Sequence, residues 1–349
     1  MAKKDRNNKN KNKKENKEKK DIDKLPRVSI CTPTFNRRPF FKGIIQSVLM
    51  QDYPKDLIEW IIVDDGTDPI EDLVKDIPFV KYCRVVEKMT LGTKRNYMHD
   101  MCEFKEDTAI LVYMDDDDYY PTQRISHAVE KLISSDALCA GASELYIWFN
   151  TLNKMYRFGP YGPNHATAGT FAFKRTLLKE TRYEDHAVLA EEKAFLKNYT
   201  IPFVQLDPLK TILVFSHEQN TFDKRRLIDQ NNKFCNESNL KVKMFIKNID
   251  IQNFYMKEIQ VLLESYELGG THYKQDVLDE IKRRDEERSQ INTTPQVSVK
   301  NNDGTTRNLT QLEIIDALRQ KTLECSKLKE DLQKIVTIIR DKNLQEHFI

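Results

Sequence analysis

Four consecutive carboxylates, Asp115, Asp116, Asp117 and Asp118, stand directly behind an apolar stretch running from Thr108 to Met114. Like charges packed this tightly repel, and burying them unpaired would cost several kcal/mol. A divalent cation carrying an anionic ligand resolves that conflict, and oxygen ligands select a hard ion, Mg²⁺ or Mn²⁺, over zinc. A solvated acidic loop at a strand end is the competing reading. A second carboxylate pair, Asp64 and Asp65, closes the apolar run from Leu57 to Val63 and precedes Gly66.

Both clusters need strands to aim them. From Arg27 to about His217, short apolar runs alternate with helical periodicity, which predicts an α/β fold with a mostly parallel sheet flanked by helices. The expected strands are Val28 to Thr32, stopped by Pro33; Leu57 to Val63; a third near Tyr82 to Val86; and the stretch ending at Met114. Helices are expected from Arg38 to Gln51, with Phe41, Ile44, Ile45, Val48 and Leu49 on one face, from Gly92 to about Cys102, and again from Pro121. In open α/β sheets ligands bind at the carboxyl ends of the strands, which is where both acidic clusters fall.

The rest of the chain is divided by texture. It has 349 residues, 32% of them charged and 39% hydrophobic, with a formal net charge of +2. Half of the first twenty residues are Lys or Arg and nearly all the others are polar. Such a segment cannot offset its ordering entropy, so residues 1–24 are expected to be disordered, a solubilising tail or a contact for acidic surfaces. Residues 224–291 are highly charged with helical apolar spacing, 292–308 read as a Thr- and Asn-rich linker, and 309–349 as a final helix. There Ile314, Leu318, Lys321, Cys325, Leu328, Leu332, Ile335 and Ile339 make a heptad seam with two weak positions. It suits either a coiled coil pairing copies of the chain or a helix packed back on its own chain. Six cysteines without a CxxC pair fit reduced thiols and a cytoplasmic location. No apolar leader is visible, and no stretch approaches the ~18 apolar residues of a membrane span. The Asn- and Lys-rich composition resembles chains of AT-rich genomes, those of large DNA viruses among them.

Ordered motifs within residues 25–223 resemble glycosyltransferase family 2, the nucleotide-sugar-dependent transferases of GT-A fold. They are Val28-Ser29-Ile30-Cys31-Thr32-Pro33-Thr34-Phe35-Asn36-Arg37, Glu59-Trp60-Ile61-Ile62-Val63-Asp64-Asp65-Gly66-Thr67, Gly92-Thr93-Lys94-Arg95-Asn96 and Met114-Asp115-Asp116-Asp117-Asp118. Each alone is weak; their order is specific.

The resemblance implies a donor nucleotide packed against Pro33, Thr34 and Asn36 and contacted by Asp116, with Asp64 or Asp65 accepting from the base. An Asp-Gly turn with a helix cap is the structural alternative for that pair. Lys94 and Arg95, in the first turn of a helix whose free N–H groups favour anions, would reach the diphosphate. Asp115 and Asp117 form the family's DxD pair, with Asp117 the direct ligand of Mn²⁺ or Mg²⁺. His217 resembles a late His-x-x-Asn element that would complete the metal site or touch the diphosphate, with a structural histidine after an apolar strand as the alternative. Glu192, with Glu191 as its fallback, stands where the family keeps its general base. The usual residue is Asp, and Glu adds a methylene. The loop from Phe158 to Thr170 would line the acceptor pocket, with Tyr161 and His165 facing sugar. Trp148 suits either a sugar face or the buried sheet.

The expected function is therefore inverting, metal-dependent transfer of a single sugar from a nucleoside-diphosphate donor, a UDP-sugar, to a hydroxyl acceptor on a glycan, protein or small molecule. The alternatives are a nucleotidyltransferase, against which the lack of a Walker-type loop counts, and a degenerate transferase domain serving as an interaction protein.

Overall fold

The computed structural model describes residues 25–189, 192–220, 223–228, 232–293, 298–300 and 305–346. The acidic clusters hang from a seven-stranded sheet ordered β3-β2-β1-β4-β8-β5-β9. Its strands are β1 (Val28–Thr34), β2 (Ile58–Asp64), β3 (Val80–Arg84), β4 (Ile110–Tyr113), β5 (Cys139–Gly141), β8 (Ala172–Lys174) and β9 (Phe203–Gln205). The β3-β2-β1-β4 half is parallel, β8 runs antiparallel to both β4 and β5, and β9 returns parallel to β5. The sheet is thus mixed but mostly parallel, with a continuous apolar run in each central strand because both faces are covered.

Strand β1 continues through Pro33, where a stop was expected, pairing Pro33 with Val63 and Thr34 with Asp64. The β4 side of the ladder ends at Cys31, so the N–H that proline lacks is not required there. Helix α1 (Phe41–Leu49) turns Phe41, Ile44 and Val48 into the core after a single 3₁₀ turn, Arg38–Phe40, that contains the proline. Helix α2 (Leu91–Met101) starts from Thr90, whose Oγ1 accepts from the Thr93 N–H at 3.3 Å. Helix α3 (Arg124–Ile133) begins three residues beyond Pro121.

A second, four-stranded sheet, ordered β10-β6-β7-β11, was not foreseen. It comprises β6 (Leu145–Phe149), β7 (Lys154–Phe158), β10 (Val214–Ser216) and β11 (Cys235–Ser238). Short helices from Val242 to Glu264 pack on it: Phe245, Ile246, Ile251, Phe254, Tyr255 and Ile259 share a core with Phe40, Tyr119, Trp148, Leu213 and Phe215. Trp148 is buried in this core, the structural alternative of its two readings.

The chain divides into two compact units, Met1–Ile281 and Lys282–Ile349. In the second, the stretch expected to be a linker contains a small antiparallel hairpin, β12 (Ser298–Lys300) with β13 (Thr306–Asn308). A 36-residue helix, Gln311–Glu346, follows. Leu318, Leu328, Leu332 and Ile335 of the expected seam are exposed; the side chain of Ile339 lies outside the described residues. The tail, residues 1–24, also lies outside them. Among the described residues no helix is long and apolar enough to cross a membrane.

Candidate active site

The sheet delivers its acidic loop to a cleft of about 450 Å³. The ends of β1, β2 and β4 are tied together by Thr32, whose hydroxyl donates to Met114 O at 2.7 Å and accepts from Trp60 Nε1 at 2.8 Å. The loop after β4 is fixed by the Tyr120 hydroxyl, which accepts from Asp115 N at 2.7 Å and donates to Gly169 O at 3.4 Å. The backbone of the 168–170 turn comes so close that a Cβ at Gly169 would stand 2.8 Å from Asp115 Oδ2, and the carboxylate would have to move to admit one. From beneath, the fully buried Arg124 donates to Tyr113 O, Thr170 O and Phe171 O at 3.3, 2.8 and 2.7 Å. The acidic loop and the 168–171 turn are therefore one hydrogen-bonded unit.

The four aspartates do different things. Asp118 ties the loop to the second sheet, its Oδ1 accepting from Phe215 N at 3.0 Å, and burial pushes its carboxyl well up. All four aspartates line the cleft. Burial pushes Asp116 up to about 7, against the pull of Arg37 and with the push of Asp117. At Asp117 burial acts upward too, but the His217 ring, Lys224 and Arg37 outweigh it and hold the carboxyl well below its usual range.

Asp117 Oδ2 lies 3.1 Å from His217 Nε2, and Asn220 Nδ2 approaches the same nitrogen to 2.7 Å. Asn220 Nδ2 also lies 3.4 Å from Asp117 Oδ2, so its amide can donate one N–H to the ring nitrogen and the other to the carboxylate. The carboxylate oxygens of the loop are the donor type that suits Mn²⁺ or Mg²⁺, with the imidazole beside them. Among the described residues no three His, Cys, Asp or Glu side chains form a cage by themselves. A metal held here would thus complete its sphere with phosphate oxygens and water, as Mg²⁺ and Mn²⁺ commonly do.

The expected site residues separate into two groups. Pro33, Thr34, Lys94, Arg95, Asp115, Asp116, Asp117 and Glu192 line the one cleft. Glu192 opens the short helix Glu192–Phe195 and accepts from Ala168 N at 3.2 Å, which joins it to the turn beside Asp115. Arg95 stacks 4.4 Å above the Tyr113 ring with Nη2 3.7 Å from Asp115 Oδ1. Lys94 is buried, its ammonium donating to Asp65 Oδ1 and, at 3.0 Å, to Thr34 O. Asp65 also accepts from Met89 N at 2.6 Å.

Asp64 and Asn36 hold loops together. Asp64 accepts from Gly66 N at 2.9 Å, Ile70 N at 3.1 Å and the Tyr82 hydroxyl at 2.8 Å. Asn36, in left-handed backbone at φ 52°, accepts from Thr67 N at 2.6 Å and donates to Leu268 O at 3.0 Å. Glu191, the fallback base, lies outside the described residues.

Sequence reasoning did not single out Arg37, Lys224 or Lys274. Arg37 is 5% exposed, with Nε 3.9 Å from Asp116 Oδ1 and Nη2 3.7 Å from Asp117 Oδ2. It stood inside the first quoted motif, so its place beside Asn36 was the available signal. Lys274 comes from far along the chain and carried none. The opposite wall of the cleft is apolar, formed by Leu145, Ile147, Phe158, Ile212 and Val214, with Tyr161, 39% exposed, at its rim.

A mostly parallel sheet flanked by helices, with carboxylates at the ends of its strands, is the architecture of the GT-A fold. Residues 29–189, just under half of the chain, match the model of the family "Glycosyl transferase family 2", and this segment is a glycosyltransferase domain of that family. No curated protein matches the chain. Among solved structures, the mannosyltransferase PcManGT from Pyrobaculum calidifontis, in complex with GDP-Man and Mn²⁺, is 16% identical with a TM-score of 0.46. The match covers 57% of this chain and 59% of that one. S. aureus TarS 1–349 in complex with UDP-GlcNAc is also 16% identical, covering 82% of this chain and 98% of its own at a TM-score of 0.44. Likenesses at this level say nothing of this chain's donor or acceptor.

Proposed function

We propose that the protein transfers a single hexose from a nucleoside-diphosphate sugar, a UDP-sugar, to a hydroxyl acceptor with inversion at the anomeric carbon. The observation that carries this reading is the single cleft in which Pro33, Thr34, Arg95, Asp115, Asp116, Asp117 and Glu192 meet. Glu192 takes the proton of the acceptor hydroxyl. The acceptor oxygen then bonds to the anomeric carbon as the bond to the diphosphate oxygen breaks, and the electron pair leaves with the nucleoside diphosphate. Arg95 and Arg37 bring positive charge to the diphosphate side of the cleft. Mn²⁺ or Mg²⁺, held by Asp117 and Asp115 with His217 beside them, would neutralise charge on the leaving diphosphate. Asp65, fixed by Lys94 and Met89 N, is positioned at the base end, with Asp64 supporting its turn. The second-sheet wall and Tyr161 receive the acceptor.

Six thiols without a disulfide among them suit a cytoplasmic reaction. The exposed apolar row of the 36-residue helix supports self-association as a coiled coil.

Calorimetric titration of UDP with and without Mn²⁺, on wild type and Asp117→Ala, tests the site. Metal-dependent binding that disappears in the variant is the expected result. Absence of UDP binding in both proteins removes the transferase reading.

A further inference from the structure

The family segment stops at residue 189, yet the cleft does not. Lys274, Asp276 and Val277 also line it, on a stretch carried by the helical extension. That stretch is fastened to the strand-end loops at several points. Asn36 Nδ2 donates to Leu268 O at 3.0 Å, Gln219 Nε2 donates to Tyr266 O at 2.6 Å, and the Tyr266 hydroxyl donates to Asp68 Oδ2 at 2.9 Å. Lys88 pairs with Asp276 across the rim. The left-handed backbone of Asn36, otherwise a conformational cost, is what turns its amide toward Leu268.

So held, Lys274 is only 5% exposed and faces the cleft in which Arg37 meets Asp116 and Asp117. Its ammonium lies 3.4 Å from Gln219 O. A lysine is rarely buried to this degree, because the stem packs well anywhere but the charge does not. Arg37 and Lys274 line the same cleft and oppose each other, while Asp116 and Asp117 attract both. The pair is complementary to an anion with charge on several oxygens, entering beside the acidic loop.

We propose that Lys274, supplied by the extension, binds the diphosphate of the donor nucleotide opposite Arg37, making residues 266–277 a wall of the donor site. This rests on the nucleotide-sugar reading above. Burial, and Arg37 after it, lower the Lys274 ammonium to about 7, and a bound diphosphate favours its charged form. The residue is a binding group for the leaving diphosphate, and the base and ribose are recognised elsewhere.

The test separates phosphate from nucleoside recognition. UDP and uridine are titrated in parallel, at fixed Mn²⁺, into wild type, Lys274→Met and Lys274→Arg. Loss of one charge-assisted contact is expected to weaken UDP about ten- to a hundredfold in Lys274→Met, with uridine unchanged and Lys274→Arg close to wild type. Unchanged UDP affinity in Lys274→Met, or an equal loss for uridine, overturns the proposal while leaving the transferase reading intact. Wild type that does not bind UDP overturns both. Should Lys274→Met not fold, acetylation of wild-type lysines read by mass spectrometry gives the same decision. UDP, but not uridine, protects Lys274 if the proposal holds, and equal labelling with either overturns it.

Discussion

Burying His217 against Asp117 writes a pH dependence into the stability of the site. Burial, ahead of the opposing pull of Asp117, lowers the imidazole from 6.5 to about 3. Below pH 6.5 the unfolded chain therefore takes up a proton that the folded one refuses. The contribution is fully present above 6.5 and is lost as pH falls toward 3, by roughly 1.4 kcal/mol for each pH unit. Asp116, raised to about 7, acts in the opposite sense in both proteins, so the readout is the difference. Between pH 7 and pH 5 the wild-type urea midpoint should drop relative to that of His217→Asn, and equal changes would remove His217 as the source. The aspartate pair shows where reading single residues stops. The sequence left Asp64 and Asp65 open between nucleotide contact and turn, and their hydrogen bonds differ. Asp64 spends both oxygens on Gly66, Ile70 and Tyr82 within its own turn, while Asp65, its side chain equally buried, spends its two on Lys94 and Met89 N. Asp64→Ala should accordingly cost about 1–3 kcal/mol of stability by leaving buried donors unpaired. Its UDP affinity should stay within a few-fold of wild type, measured well below the melting temperature.

Loops become precise here because particular elements grip them, and those grips were only partly legible. Strands β1, β2 and β4 announced themselves as apolar runs ending in turn residues, and α2 through its Gly-Thr-Lys-Arg start. The second sheet did not, since β6 and β7 are five residues each and β10 only three, too short to establish a period. Nor could the sequence reveal that β8 enters antiparallel between β4 and β5, because a three-residue strand takes its direction from its partners. Arg124 is the clearest missed grip. Sequence reasoning did not single it out, yet it is fully buried and donates to three carbonyls around the acidic loop and the 168–171 turn. Burial lowers its guanidinium to about 10, so it remains charged at neutral pH. Arg124→Met removes the donor to Thr170 O and Tyr113 O, while Phe171 O keeps Tyr113 N at 3.0 Å, and should cost about 1–3 kcal/mol. At temperatures where the variant is folded, turnover should fall more than UDP affinity, because the turn that it releases also holds Glu192 through Ala168 N. Steady-state kinetics beside UDP titration distinguishes this from a general loss of fold.

At the scale of the whole molecule, the decisive boundary is not the one that composition draws. Texture changes after residue 223, which made the following segment look like an appendage. Its apolar spacing is real, but the face it describes is the missing half of a core. Phe245, Ile246, Ile251, Phe254 and Tyr255 cover the second sheet, and the Tyr255 hydroxyl donates to Asp118 O at 2.9 Å, directly under the acidic loop. Residues 266–277 then reach the cleft itself. The compact unit accordingly runs to Ile281, and the hairpin and long helix beyond it form a unit of their own. The two truncations should behave oppositely. A chain ended at Asp223 exposes the core around Trp148, Phe215 and Tyr119, each such large side chain carrying about 1.5–3 kcal/mol of burial, and should be aggregated or unfolded by circular dichroism. One ended at Ile281 should keep the melting temperature and the UDP affinity of the full chain within error. Light scattering completes the comparison. If the heptad row pairs copies of the chain, the full protein is an oligomer and the shortened one a monomer. Equal masses would mean that the row does not mediate self-association.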